Sequence, residues 1–312
     1  MTKNPIPVFF ACDDKYFPFM GIALHSLILN SDKNKFYDVY VLNIGLSDIN
    51  VKRVLNMKCE HVNVTFVDVH EKMKKLGEQL MLRHYYSAAI YFRIFIPDMF
   101  RQFDKAVYLD SDVVVNTDIA KLYDIELGDN ILGGTIDQVI CSRPDFQDYA
   151  TIGVGVHYLK YFNSGVLLMN LKKMREIDLE GQFVAMFNKY HFDVLCPDQD
   201  YLNVLTVGHT LQLDKGWNKM SVDKDYDGEP MIVHYNMFNK PWQYDDIPYG
   251  HYFWDYAKGC QFYDDAKAIK DAFGEKDIEM QKVGLMQLVE GVDRIVHSDT
   301  SMGKVLFSKE DK

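Results

Sequence analysis

Two kinds of apolar segment alternate along the first third of the chain, and that alternation limits the fold more than any other feature. The run IPVFFAC (6–12) is short and continuously apolar, as expected of a strand covered on both faces, whereas YFPFMGIALHSLILNS (16–31) is long enough for a buried helix. FYDVYVLNIG (36–45) reads as a second strand, Ser47 as the N-cap of a helix reaching about Met57, and HVNVTFVDV (61–69) as a third strand. Ser87 is placed to cap a helix over AAIYFRIFI that Pro97 ends, and KAVYLD (105–110) reads as a fourth strand. Strands separated by helices predict an α/β protein with a mostly parallel sheet, right-handed crossovers and helices on both faces.

With 312 residues, 48% of them hydrophobic, the chain can bury a large core. A formal net charge of -11 repels the phosphates of nucleic acids and anionic lipids, so nucleic acid is not expected as a partner. Cys12, Cys59, Cys141, Cys196 and Cys260 are odd in number and form no C-x-x-C, which fits reduced thiols in a cytoplasmic protein. The first residues lack a signal-type apolar stretch, and no 18-residue apolar run occurs. A soluble, unexported chain is expected.

The segment VYLDSDVVVN (107–116) sets two aspartates inside what otherwise reads as a buried strand. In parallel sheets, ligands sit beyond the carboxyl ends of the strands. Asp110 and Asp112 come where the fourth strand runs out, Asp13 and Asp14 end the first, and Asp137 ends ILGGTI, so several strands deliver acids to one rim. Two carboxylates so close repel each other unless a cation joins them, and oxygen ligands suit Mg²⁺ or Mn²⁺. The plain alternative is an acidic surface turn. The same letters also suit the haloacid-dehalogenase phosphatases, in which the first aspartate is a nucleophile. That motif normally opens its fold, whereas three strand and helix units precede it here.

Further blocks separate these possibilities. ACDDKYF (11–17), YLDSDVVV, YFNSGVLLMNLKKMR (161–175), CPDQDYLNVL (196–205) and VHYNMFNKPW (233–242) together resemble the retaining glycosyltransferases of family eight. The resemblance spans about residues 5 to 258. It implies the GT-A fold, a Rossmann-like α/β domain, and a metal-bound UDP-glucose or UDP-galactose donor.

Carried over position by position, Asp110, Asp112 and His234 match the metal ligands, with Mn²⁺ favoured over Mg²⁺ by the imidazole. Lys240 matches the lysine that meets the diphosphate. Asp13, with Ala11 and Tyr16, resembles the uracil and ribose contacts, and Arg93 a residue near the donor sugar and phosphate. A charged residue on so apolar a helix needs an anionic partner. Asp137, Asn163, Asp198 and Gln199 correspond to residues around the transferred sugar. Gln199 and Asp198 are the catalytic candidates, and same-face attack with Gln199 as electrostatic support is expected. Asp198 or Asp200 could instead serve only to start a helix. Two positions depart from the family pattern: Met237 stands where a glycine is common, and Lys15 where asparagine is common.

The division expected is a catalytic domain over residues 1–258 and a C-terminal helical extension over 259–312. In the extension, Leu285, Leu288, Val292 and Ile295 form one helical stripe, expected to pack on the chain's own domain, although a homodimer would use the same stripe. The resemblance points to a glycan or glycolipid acceptor in lipopolysaccharide-type synthesis, with at most peripheral contact at the inner face of the cell membrane. A non-catalytic sugar-binding protein, using Tyr158, Phe162, Tyr235 and Trp242 as stacking surfaces, is the remaining alternative.

Overall fold

The apolar runs form one seven-stranded sheet in the order β3-β2-β1-β4-β7-β6-β8. The computed structural model describes residues 5–75, 88–222, 224–238 and 240–307. β1 (Ile6–Ala11), β2 (Tyr37–Asn43), β3 (Val62–Asp68) and β4 (Ala106–Leu109) are parallel neighbours. Side chains alternate across a strand, and β1 uses both faces: Val8 and Phe10 enter one core, Phe9 and Ala11 the other. That double burial explains why the run carries no polar residue.

The sheet is less uniform than the sequence pattern suggests. β7 (Val166–Met169) runs antiparallel to both β4 and β6 (Leu132–Gly134), and β6 pairs in parallel with β8 (Thr210–Gln212). β5 (Val113–Val115) leaves this sheet and joins β10 (Ile232–His234) and β9 (Lys219–Met220) in a second one. The apparent single strand VYLDSDVVV is therefore two strands in two sheets. Asp110, Ser111 and Asp112 are the turn between them, which answers why acids interrupt an apolar run.

Several element ends differ from expectation. Ser47 occupies the N-cap position of Asp48–Leu55, but its hydroxyl donates to Asp14 instead of capping. Ser87 lies outside the described residues. Pro97 does not end its helix, which runs Phe92–Met99 after a tight turn over Ala88–Tyr91; one missing N–H is tolerated so close to the end. Asp137 stands at the N-cap of Gln138–Cys141, accepting from the N–H groups of Val139 and Ile140, so it opens a helix as well as following a strand.

In the C-terminal segment, Tyr263–Ala272 packs on the first helix, Phe17–Asn30, and Glu275–Val296 packs across the turns at Tyr149–Val154. Val292 and Ile295 are buried as expected of the stripe, but Leu285 is 43% exposed. The stripe therefore seals only its C-terminal half against the body. No described helix is long and apolar enough to cross a membrane.

Candidate active site

The turn between β4 and β5 is held from three sides. The N–H of Asp110 donates to Gly165 O (2.8 Å), the Ser111 hydroxyl donates to Ala11 O (2.8 Å), and the N–H of Tyr235 donates to Asp112 O (2.9 Å). The ends of β1 and β10 and the entry to β7 thus meet at one point. His234, the last residue of β10, brings Nε2 to 3.2 Å from Asp112 Oδ1 and 3.7 Å from Asp110 Oδ2. One ligand atom from each of the three residues falls within a 4.8 Å group. Two carboxylates and one imidazole, with open space on the cavity side, form a donor set that fits a hard or borderline divalent ion.

A glycine makes this convergence possible. A Cβ on Gly165 would lie 2.2 Å from His234 Cε1 and 2.7 Å from Asp110 Oδ2, so any other residue would push the imidazole and the carboxylate apart. The position needs no unusual φ; it needs the missing side chain.

Two buried cations balance the acids. Lys240 contacts Asp112 through its ammonium and lies over the rings of Tyr16 and Trp242. Burial alone would raise the Asp112 carboxyl, yet Lys240 and His234 hold it well below the usual range. Arg93 donates to Asp110 Oδ1 (2.8 Å), to the Ser164 carbonyl (2.5 Å) and to the Ser164 hydroxyl (3.0 Å), and its Nε lies 3.1 Å from Asp198. Burial opposes its charge, but Asp110 and Asp198 outweigh that and raise the guanidinium further. The anionic partner that Arg93 requires is thus supplied by the protein itself, and most of its N–H groups are already in use.

Beyond Arg93 lies a set of mutually bonded amides and acids. Asn163 Nδ2 donates to Asp137 Oδ2 and to Gln199 Oε1, both at 3.0 Å, and Gln199 Nε2 donates to Asp137 Oδ2 at 3.0 Å. The Ser164 hydroxyl donates to Asp198 Oδ2 (2.9 Å). Burial raises the Asp198 carboxyl, against the pull of Arg93. Asp200 starts the same helix, Pro197–Leu205, but points away from this set, accepting from the hydroxyls of Tyr149 and Tyr161 at 2.5 Å each. Its carboxyl is pushed up to about 7 by burial, which these hydrogen bonds only partly offset.

Asp13 accepts from the N–H of Tyr16 (3.0 Å), fixing the turn that starts the first helix. Asp14 faces the other way, bonded to Ser47 and Asn50. Met237 holds a left-handed φ of 56°, so the backbone keeps the conformation that glycine favours although a side chain is present. A single cavity of about 670 Å³ is lined by Ala11, Asp13, Tyr16, Arg93, Asp110 and Asp112 on one side. Asp137, Asn163, Asp198, Gln199, His234 and Lys240 also belong to its polar wall. Lys15, Met237 and, from the C-terminal helix, Leu288 also reach it.

The profile of Glycosyl transferase family 8 matches residues 7–246, most of the chain. The chain belongs to that family. Among solved structures, the galactosyltransferase LgtC in complex with donor and acceptor sugar analogues superposes with a TM-score of 0.68 at 26% identity, covering 82% of this chain and 96% of that one. The apo form of the bifunctional glycosyltransferase WbbM gives a TM-score of 0.75 at 25% identity, covering 85% of this chain and 51% of that one. The lipopolysaccharide 1,2-glucosyltransferase of Escherichia coli is 26% identical over 257 residues, 77% of this chain and 74% of that protein. The chain spans 64% of the length of a glycosyltransferase relative from Haemophilus influenzae. These likenesses assign the GT-A fold to this family 8 chain.

Family membership removes the phosphatase alternative. Burial weakens the sugar-binding one: Phe162, Tyr235 and Trp242 are core residues at 2%, 0% and 3% exposure, so their faces are spent on packing. Ser164, Gly165 and Asn218, whose side chain lies 3.0 Å from His234 Nδ1, belong to the site in addition to the residues expected from the sequence. A serine or glycine beside a strand, and an asparagine ending the short helical turn Lys215–Asn218, carry no local signal; only the contact across the chain identifies them.

Proposed function

We propose that this family 8 glycosyltransferase is a metal-dependent, retaining hexosyltransferase that moves glucose or galactose from a UDP-sugar to a glycan or glycolipid acceptor. The process that fits is cell-surface polysaccharide synthesis of the lipopolysaccharide type, and the Escherichia coli glucosyltransferase and LgtC likenesses support it. One observation carries the reading: a divalent-ion donor set, a buried lysine and a hydrogen-bonded group of amides and acids share the wall of a single cavity.

In this reading Ala11, Asp13 and Tyr16 face the uracil and ribose, and Asp110, Asp112 and His234 hold Mn²⁺, with Mg²⁺ as the alternative. The ion supplies charge neutralisation at the diphosphate when bound. Lys240 donates to the leaving diphosphate as charge grows on its oxygen. Asp137, Asn163, Asp198 and Gln199 receive the sugar hydroxyls. Arg93 acts through the aspartates it holds, because its own donors are largely occupied.

Retention is best served by same-face attack. A carboxylate nucleophile would have to be free to approach the sugar. Asp198 is instead tied to Arg93 and the Ser164 hydroxyl, and Gln199 is an amide fixed by Ser164 N–H and Asp137. Gln199 therefore offers electrostatic support from a fixed position.

We assign residues 1–258 to the catalytic unit and 259–312 to a helical extension that lends Leu288 to the cavity. Unpaired cysteines support a cytoplasmic setting. Membrane contact is at most peripheral. The deciding experiment is calorimetric titration of UDP-glucose and UDP-galactose with Mn²⁺, repeated with EDTA. Metal-dependent binding is expected, with the tighter sugar naming the donor; no binding of either by folded protein with Mn²⁺ would refute the proposal.

A further inference from the structure

An imidazole ligates a metal only through a nitrogen that carries no proton, so something must decide which nitrogen of His234 that is. The hydrogen-bond geometry behind the ring decides it. The backbone N–H of Gly165 can only donate, so the Asn163 atom it meets at 2.9 Å is Oδ1. The same Oδ1 lies 2.9 Å from the Asn218 side chain, which must therefore present its Nδ2 there. That orientation turns Asn218 Oδ1 toward His234 Nδ1 at 3.0 Å. An amide oxygen accepts but cannot donate, so Nδ1 carries a proton, and Nε2, which faces Asp110 and Asp112, is the nitrogen left to ligate a metal.

Burial makes the arrangement decisive. Asn218 is 0%, His234 3% and Asn163 6% exposed, so water has little access to replace a lost partner. Gln138 Nε2 donates to the Asn218 carbonyl (2.8 Å), fixing the backbone just before β9. At its other end, Asn163 Nδ2 donates to Asp137 and Gln199.

We propose that Asn218 is a positioning residue that holds His234 in its Nδ1–H tautomer. Asn163 sets the Asn218 amide, so the metal ligand and the sugar-side group form one hydrogen-bonded unit. The consequence for metal rests on the functional reading above; the tautomer does not.

Long-range ¹H–¹⁵N spectra of the metal-free protein, with the His234 signals assigned by their loss in His234→Gln, read directly whether Nδ1 carries a proton. Mn²⁺ titration in the presence of UDP, followed by electron paramagnetic resonance, reads the consequence. Wild type is expected to show Nδ1–H. Asn218→Leu is expected to lose that pattern and to weaken Mn²⁺ binding by about 10- to 100-fold. Asn218→Asp, whose carboxylate still accepts from Nδ1 but sets an oxygen against Asn163 Oδ1, is expected to keep the Nδ1–H pattern and to bind Mn²⁺ more tightly than the leucine variant without reaching wild type. Should the leucine variant not fold, the wild-type spectrum and the aspartate variant decide. A bare Nδ1 in a wild type that binds Mn²⁺ tightly would overturn the positioning role alone, as would a folded Asn218→Leu with an unchanged Nδ1 proton and affinity. Wild type with the Nδ1–H pattern but no Mn²⁺ binding would instead overturn the metal reading, and the role at the metal with it.

Discussion

Asp110-Ser111-Asp112 and Asp198-Gln199-Asp200 spell nearly the same pattern, two acids one residue apart, and the fold treats them in opposite ways. The first pair sits in a turn between two sheets, where both carboxylates converge on His234 and are balanced by Arg93 and Lys240. The second pair sits in the first turn of a helix, where two residues are about 200° of rotation apart, so the acids part. Asp198 faces Arg93, while Asp200 is sealed beneath two tyrosine hydroxyls and the N–H of Cys196. Spacing in the sequence therefore does not define a charge pair; the backbone geometry between the acids and the cations they meet do.

The hardest test of the contrast is Asp112→Asn. Losing one ligand charge from the convergent pair should abolish Mn²⁺-dependent UDP-sugar binding and lower transfer by at least about 10³-fold, measured by calorimetry and by a donor-consumption assay. Binding that survives the substitution would show that the first pair is no more a metal site than the second.

Arg93→Met attacks the link between the two pairs. It leaves Asp110 and Asp198 without their shared cation, and a loss of about 3–5 kcal/mol in urea unfolding is expected. A change within the error of such measurements would mean that the two pairs are energetically independent.

The second pair has its own signature in pH. Asp200 keeps its proton in the native state up to about 7, whereas an unfolded aspartate loses it near 4. The native state thus binds more protons across that window, so the contribution of Asp200 to stability is present below about pH 4 and is lost as pH rises through about 7. Asp200→Asn should flatten this fall, raising the melting temperature relative to wild type at pH 8 more than at pH 5. Parallel curves for the two proteins would mean that Asp200 loses its proton as an unfolded aspartate does.

The smallest expected effect lies in the loop between His234 and Lys240. Met237→Gly removes the side chain from a left-handed position at φ 56°, relieving about 1 kcal/mol of strain while adding freedom to the unfolded chain. The net shift in thermal unfolding should stay under about 1 kcal/mol. A larger loss would mean that the methionine side chain, where it lines the cavity, contributes packing that the usual glycine does not.

The sequence by itself determined the α/β alternation, because burial on both faces forces continuous apolar runs, and β1 shows this directly. It also determined which residue types meet at the strand ends, since five motif blocks in a fixed order identify the family. Only the tertiary structure decided the reversal of β7, the departure of β5 into a second sheet and the burial of Phe162, Tyr235 and Trp242 in the core. It alone showed that Arg93 is already satisfied, that Gly165 is there for its missing Cβ, and that Asn218 stands behind His234. The physical reason is common to all of these. Local pattern reports which face of an element is apolar, but charge balance, close approach and hydrogen-bond orientation are properties of pairs that lie far apart in the chain.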